Sequence, residues 1–89
     1  MRAVITVIGQ DRVGILARVS QACAKVDANI LDVTQSVLQD IFVMVMLVDI
    51  QNLKEEFGSF ADTMKELGKD WGLAIHVMHE DIFNSMHRI

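Results

Sequence analysis

The feature that most constrains the fold is an unbroken run of eight apolar residues in the middle of the chain, Ile41–Val48. The run is strand-sized and far shorter than the ~18 residues needed to cross a bilayer. Because both faces of such a strand are apolar, we predict a strand over 41–50 that lies in the middle of a sheet. A similar two-sided apolar run predicts a second central strand over 2–8.

Two other segments alternate apolar with polar side chains, which indicates strands with one buried face and one wet face. These segments are 30–38 and 73–80. Alternation of this kind is typical of the edge of a sheet. Gln39 and Asp40 are expected to form the hairpin turn between the second and third strands, although they lack the favoured Asn-Gly or Asp-Gly pair.

Helical periodicity marks two further segments. Apolar residues recur at steps of three and four over 15–26, and a second helix is predicted to begin at Asn52 and end at Gly72. Glu55 follows Asn52 at capping-box spacing. The apolar stripe of the second helix comprises Leu53, Phe57, Phe60, Ala61, Met64, Leu67 and Trp71. The last stretch, 81–89, has helical spacing and predicts one or two helical turns.

This order of elements predicts one domain over residues 1–89 with a ferredoxin-like α+β fold, βαββαβ. We expect a four-stranded antiparallel sheet with its first and third strands central, two helices on one face, and a short C-terminal tail or helix. Two helices cover only one face of the sheet. Apolar side chains on the other face of 41–50 therefore require cover from the C-terminal stretch or from a second subunit.

The tight turn over 9–14 is the candidate functional element. It joins the first strand to the first helix and holds two glycines, Gly9 and Gly14, and two opposite charges, Asp11 and Arg12. The first amide groups of a helix have no intrahelical partner, and the helix dipole is positive there. Such a turn is therefore a natural site for an anion.

An α-amino acid suits this chemistry, because it carries one carboxylate and one ammonium group. The amides of Val13, Gly14 and Ile15 could bind the carboxylate. Asp11 or the side-chain oxygen of Asn29 could accept from the ammonium. The alternative is that Asp11 only caps the helix, while Asn29 only turns the chain in a left-handed conformation.

Composition argues against several other functions. The formal net charge of −4 is wrong for a protein that binds nucleic-acid phosphates. Only Phe42 supplies an aromatic ring on the predicted central strands, so RNA binding on this fold is not expected. No apolar run suits a membrane. The one cysteine, Cys23, falls in the helical stripe as a core residue, and without a disulfide we expect a cytoplasmic protein.

Catalytic and metal-binding patterns are not found in the sequence. No carboxylate pair, nucleophile with a base, or phosphate loop stands out, so we expect neither an enzyme nor a cofactor. His76 and His79 would point to opposite faces of their strand and could not easily share a metal ion.

The chain resembles an ACT domain, through the βαββαβ order and most sharply through Gly9-Gln10-Asp11-Arg12-Val13-Gly14-Ile15-Leu16. Ala28–Asp32 resembles the family's turn into the second strand, and 79–89 resembles the end of the free-standing UPF0237 proteins. The resemblance implies an effector site, usually shared across a homodimer. The resemblance implies that Asp11 of the turn and Asn29 before the second strand hold the ligand. The full candidate site comprises Gly9, Asp11, Arg12, Val13, Gly14 and Ile15, with Asn29 and Ile30.

Two functional hypotheses follow. In the first, a dimer senses a small-molecule effector, an amino acid, and regulates a protein partner. In the second, the domain binds no ligand and docks a partner enzyme through its apolar sheet face. The polar second strand permits edge-to-edge dimers, and the spare face of the third strand permits face-to-face dimers.

Overall fold

A computed structural model describes residues 1–86 of the chain. The elements are β1 (Arg2–Gln10), α1 (Ile15–Lys25), β2 (Asn29–Leu38), β3 (Ile41–Asp49), α2 (Phe57–Trp71), β4 (Leu73–His79) and α3 (Glu80–Met86). The strands form an antiparallel sheet in the order β2-β3-β1-β4. The predicted ferredoxin-like α+β fold is confirmed, with β1 and β3 central and β2 and β4 at the edges. None of the helices within 1–86 has the length and apolar character needed to cross a membrane.

The hydrophobic core lies between one face of the sheet and the two long helices. Ile5 of β1 and Met46 of β3 are fully buried there against Val19 of α1 and Phe60 and Met64 of α2. These positions follow from the periodicities of the sequence, because alternate residues of a strand share a face and every third or fourth residue of a helix does so.

Within residues 1–86, the opposite face of the sheet is covered at one end only. Val4 lies on that face and is 4% exposed, because α3 follows β4 and contacts both β4 and β1. An ion pair joins Arg2 of β1 to Glu80 of α3, with 2.7 Å between Nη2 and Oε2. Beyond this end, the face carries Ile8, which is 47% exposed, and Val45, which is partly exposed. We call this uncovered part, built on Thr6, Ile8, Val43 and Val45, the open face.

The start of α2 differs from the prediction. The helix begins at Phe57 after Glu56, and the predicted capping box at Asn52 does not form. The carboxylate of Asp49 instead accepts a hydrogen bond from the Gln51 amide at 2.9 Å, which stabilises a turn directly after β3. The predicted end is confirmed, because Gly72 ends α2 in a left-handed conformation, with φ 69°.

The C-terminal segment contains α3, which confirms the predicted helical turns over its described part. Ile89, the last member of the predicted apolar spacing, lies outside the described residues. Contacts with the sheet hold this short helix in position. Glu80 forms an ion pair with Arg2, and α3 packs beside β1 and β4.

Cys23 lies in the core between α1 and the sheet, as its place in the helical stripe predicted. Its side chain is fully buried, and burial raises the pKa of the thiol from 9.0 to about 11. The folded protein therefore holds the neutral thiol at a pH where the unfolded chain would lose the proton. This contribution to stability is complete below pH 9 and is lost as the pH rises toward 11.

We therefore expect the free energy of unfolding to fall more steeply between pH 9 and pH 11 in the wild type than in Cys23→Ala. Denaturant titrations of both proteins across that range check this, and parallel pH profiles would contradict it. A thiol reagent at pH 8 should react with the folded wild type only as fast as the protein opens.

Candidate functional site

The predicted turn over 9–14 is shorter in the structure, because Gly9 and Gln10 belong to β1 and only residues 11–14 connect β1 to α1. Gly9 lies at the end of β1, in close contact with the start of β4. A Cβ atom on Gly9 would lie 2.6 Å from Cδ2 of Leu73 and 2.9 Å from the carbonyl oxygen of Gly72. A side chain at this position would force β1 and β4 apart. Gly9 therefore serves close packing, and it fixes where the chain leaves the sheet.

Gly14 starts α1 in a left-handed conformation, with φ 90°, which favours glycine. No side chain among the described residues caps this helix, so the alternative that Asp11 is a helix cap is wrong. The Asp11 amide donates instead to the Asp40 carbonyl oxygen at 2.9 Å, which ties the turn to the β2–β3 hairpin. The Asp11 side chain is exposed and remains available to a ligand.

The amide groups at the start of α1 are the candidate donors for an anion. The first helical hydrogen bond runs from the Arg18 amide to the Gly14 carbonyl oxygen at 3.0 Å. Helix geometry consequently leaves the amides of Ile15, Leu16 and Ala17 without intrahelical partners. The predicted donors were Val13, Gly14 and Ile15, so the set is displaced by two residues toward the helix and only Ile15 is common to both. The side chain of Val13 is 96% exposed, whereas that of Ile15 is buried in the core.

Two arginines and a tryptophan surround the turn. The guanidinium carbons of Arg12 and Arg18 each lie 4.2 Å from the ring centroid of Trp71, which favours cation–π attraction. Nη1 of Arg12 also donates to the Trp71 carbonyl oxygen at 3.4 Å. Together with the helix dipole, these two cations make the turn attractive to a carboxylate.

Sequence reasoning did not assign Trp71 or Arg18 to the site. The pattern placed Trp71 in the apolar stripe of α2 and Arg18 on the polar side of α1. The strand order could have placed Trp71 at the site. Because β4 is antiparallel to β1, the start of β4 lies beside the end of β1. The residue that precedes β4 by two positions must therefore lie near the turn.

Asn29 lies far from this turn within the chain. It opens β2 and pairs with Asp49, whereas Gln10 pairs with Ile41 at the other end of β3. Ile41 and Asp49 are eight residue steps apart along β3, about 27 Å at the usual rise per residue. One chain therefore does not bring the two predicted halves of the ligand site together.

A groove of about 580 Å³ surrounds Asn29 at the second half of the site. Its lining residues are Ser20, Ala24, Asp27, Ala28, Asn29, Ile30, Asp49 and Asn52. Asn29 does not adopt the left-handed conformation expected of it; Asp27 does, with φ 58°. Asp27 also forms an ion pair with Lys54 at 3.3 Å. Asn29 is therefore the first residue of β2 rather than a turn residue, and its exposed side chain lies at the polar rim of this groove.

Comparison with known proteins shows the family to which this chain belongs. A model of the ACT domain matches residues 2–78. A UPF0237 protein of Methanocaldococcus jannaschii is 47% identical over 88 residues, which cover 99% of this chain and 98% of the relative. One of Clostridium perfringens is 46% identical over the full length of both chains.

A solved structure, an ACT domain protein from Streptococcus pneumoniae, superposes with a TM-score of 0.81 at 33% identity and covers 98% of both chains. This superposition extends beyond residue 78, where the match to the ACT domain model ends, and it therefore includes α3. The chain therefore belongs to the ACT domain family, whose members are generally regulatory ligand-binding domains, and within it to the UPF0237 group.

Proposed function

We propose that the protein is a dimeric sensor that binds an α-amino acid at the turn between β1 and α1. The observation that carries the proposal is the uncapped start of α1, flanked by the guanidinium groups of Arg12 and Arg18. A carboxylate at this place would accept from free backbone amides and be attracted by both cations. The exposed carboxylate of Asp11 would attract the ammonium group of the same ligand.

The dimer is proposed to form by antiparallel pairing of two β2 strands. β2 is an edge strand, and it carries exposed apolar side chains at Leu31, Val37 and Leu38. An edge of this kind, without proline or lysine, is a template for pairing with another chain. Pairing about the centre of the strand places Asn29 of one copy opposite Leu38 of the other.

This pairing would complete the ligand site. Leu38 is two residues from Asp40, whose carbonyl oxygen accepts from the Asp11 amide. Asn29 of the partner subunit would therefore lie beside the turn that holds Asp11 and Arg12. The ligand would bind between two chains, with the carboxylate on one and part of its ammonium coordination on the other. Because both chains contribute, ligand binding would be thermodynamically linked to dimerisation and to the affinity for a regulated partner.

Calorimetric titration with each of the twenty amino acids tests the proposal. We expect saturable binding for one amino acid or a small chemical group of them, with two sites per dimer. Trp71 is the only tryptophan of the chain and contacts Arg12 at the site, so its fluorescence should change at the same ligand concentration. Twenty titrations without heat or fluorescence change would contradict the proposal.

The second hypothesis, a ligand-free module that docks a partner enzyme, is favoured by the exposed Ile8 and Ile41 side chains on the uncovered side of the sheet. It predicts that a partner binds without added metabolite. Ile8→Glu should then abolish partner binding, and Asp11→Ala should leave it unchanged. If the protein is instead an amino-acid sensor, Asp11→Ala should weaken binding of the amino acid, and Ile8→Glu should leave that binding unchanged.

A further inference from the structure

We propose that the open face of the sheet packs against the open face of a second copy, so that two edge-paired dimers stack into a tetramer. The proposal rests on the β2-paired dimer proposed above, because that dimer supplies its full contact area. The helices lie on the other side of the sheet, so stacking leaves the ligand site between β1 and α1 accessible.

The first observation is that the open face is uncharged. The strand register places Ile8 beside Val43 of β3 and Ala74 of β4, with Ser36 of β2 next to Val43. Ile8 is about half exposed, which is unusual for isoleucine in the central strand of a sheet. Nothing within residues 1–86 covers this row.

The neighbouring row has the same character. Thr6 lies between Val45 of β3 and His76 of β4, and Thr34 of β2 lies beyond Val45. Neither row contains Asp, Glu, Lys or Arg, although 22% of the chain consists of these residues. Charges begin on the side of α3: the next row carries Asp32 of β2 beside Leu47, and in the row beyond it Arg2 binds Glu80 of α3. The α3 helix therefore defines one border of a neutral patch.

The absence of charge favours a second copy as the occupant. Each chain has a net charge of −4, so two copies repel each other unless they meet through a neutral surface. In a symmetric contact the neutral rows of one face meet the neutral rows of the other. A strongly charged partner would find no opposite charge on these rows and would lose its hydration without compensation.

The area explains why the stacking needs the edge-paired dimer. The row of Leu38, Ile41 and Gln10, on the side away from α3, is also uncharged. With this row included, three rows of residues across four strands span about 20 Å by 19 Å, or roughly 400 Å² per chain. Two lone chains would thus bury about 800 Å² in total, which is the size of a crystal contact. Pairing through β2 joins two open faces into one surface, and the stacked pair of dimers would bury about 1,600 Å², the standard size of a stable interface.

Light scattering on the full chain, at several concentrations, tests the inference. We expect the wild type to reach four times the chain mass of 10.0 kDa. Ile8→Glu and Ser36→Glu both introduce a carboxylate into the neutral rows at exposed positions and should give dimers. Ser59→Glu makes the same change at an exposed position of α2 and should leave the tetramer intact.

The possible outcomes separate this inference from the proposed function. Amino-acid binding by the dimeric Ile8→Glu supports both, and a tetramer that dissociates on this substitution but binds no amino acid supports the stacking alone. A wild type that stays dimeric at high concentration overturns the stacking, as does a tetramer unaffected by Ser36→Glu. If Ile8→Glu does not fold, as thermal melting will show, Ser36→Glu decides the question, because the Ser36 side chain is exposed on the same face of the sheet as Val43.

Discussion

Replacing Gly68 by alanine is expected to lower the free energy of unfolding by about 2 kcal/mol, because the added methyl group overpacks the core. The sign is opposite to that of helix propensity, which favours alanine over glycine in a helix. A Cβ atom at this position would lie 2.5 Å from the carbonyl oxygen of Leu73 and 2.9 Å from Cγ1 of Ile75. Both neighbours belong to β4, and neither can retreat without weakening the pairing of β4 with β1.

Gly58 provides the matched control in the same helix. No atom lies within 4 Å of the Cβ that alanine would add there. Gly58→Ala should therefore raise the free energy of unfolding by up to ~1 kcal/mol. Denaturant unfolding of the two variants beside the wild type measures both effects. Equal stabilisation by the two substitutions would show that α2 does not press against β4 at Gly68.

Asp11→Ala and Asn29→Ala are each expected to weaken amino-acid binding by about 10- to 100-fold, because each removes a hydrogen bond to a charged ligand group worth ~1.5–3 kcal/mol. Neither should lower stability appreciably. Both side chains are exposed, and α1 has no side-chain cap that Asp11→Ala could remove. Calorimetry with the amino acid found for the wild type gives the affinities.

Asp62→Ala is a suitable control, because it removes a carboxylate from the exposed side of α2. Its affinity for the amino acid should equal that of the wild type. If Asp11→Ala retained full affinity, the carboxylate of Asp11 would have no part in ligand binding. If Asp11→Ala unfolded more easily by a kilocalorie or more, its role would be structural.

The sheet could be predicted from the sequence because its strands differ in how they are buried. The apolar run Ile41–Val48 has no polar face, so it had to lie between other strands, and it became β3. The alternation over 30–38 indicated a strand with one wet face, and β2 is an edge strand. Gly72 was also identified correctly as the end of α2, because a helix that ends in a left-handed residue favours glycine.

Predictions from local sequence pattern were wrong at two places where other residues determine the backbone conformation. Asn52 and Glu55 have capping-box spacing, but the carboxylate of Asp49 takes the Gln51 amide and holds the chain in a turn. Asn29 has a residue type that suits a left-handed turn, yet Asp27 takes that conformation two residues earlier. Both choices depend on contacts that spacing alone does not reveal.

The site was predictable only in part, because much of it is assembled from distant segments. The connection from β1 to α1 was identified from its glycines and charges, although Gly9 and Gln10 belong to β1. The contacts of Trp71 with Arg12 and Arg18 bring together the end of α2 and the start of α1. Asp11 and Asn29 were predicted to share one site, but the length of β3 separates them within one chain. Only the proposed second copy brings these two residues together.

Mixing the two single variants tests this shared site most directly. Asp11→Ala and Asn29→Ala are unfolded together, refolded as mixed dimers, and titrated with the amino acid that the wild type binds. If the site is shared across the β2 edge, each mixed dimer has one intact site and one site with both substitutions. Random pairing should then restore about a quarter of the wild-type sites at full affinity, since half of the dimers are mixed. A mixture that binds no better than either variant alone would contradict the shared site.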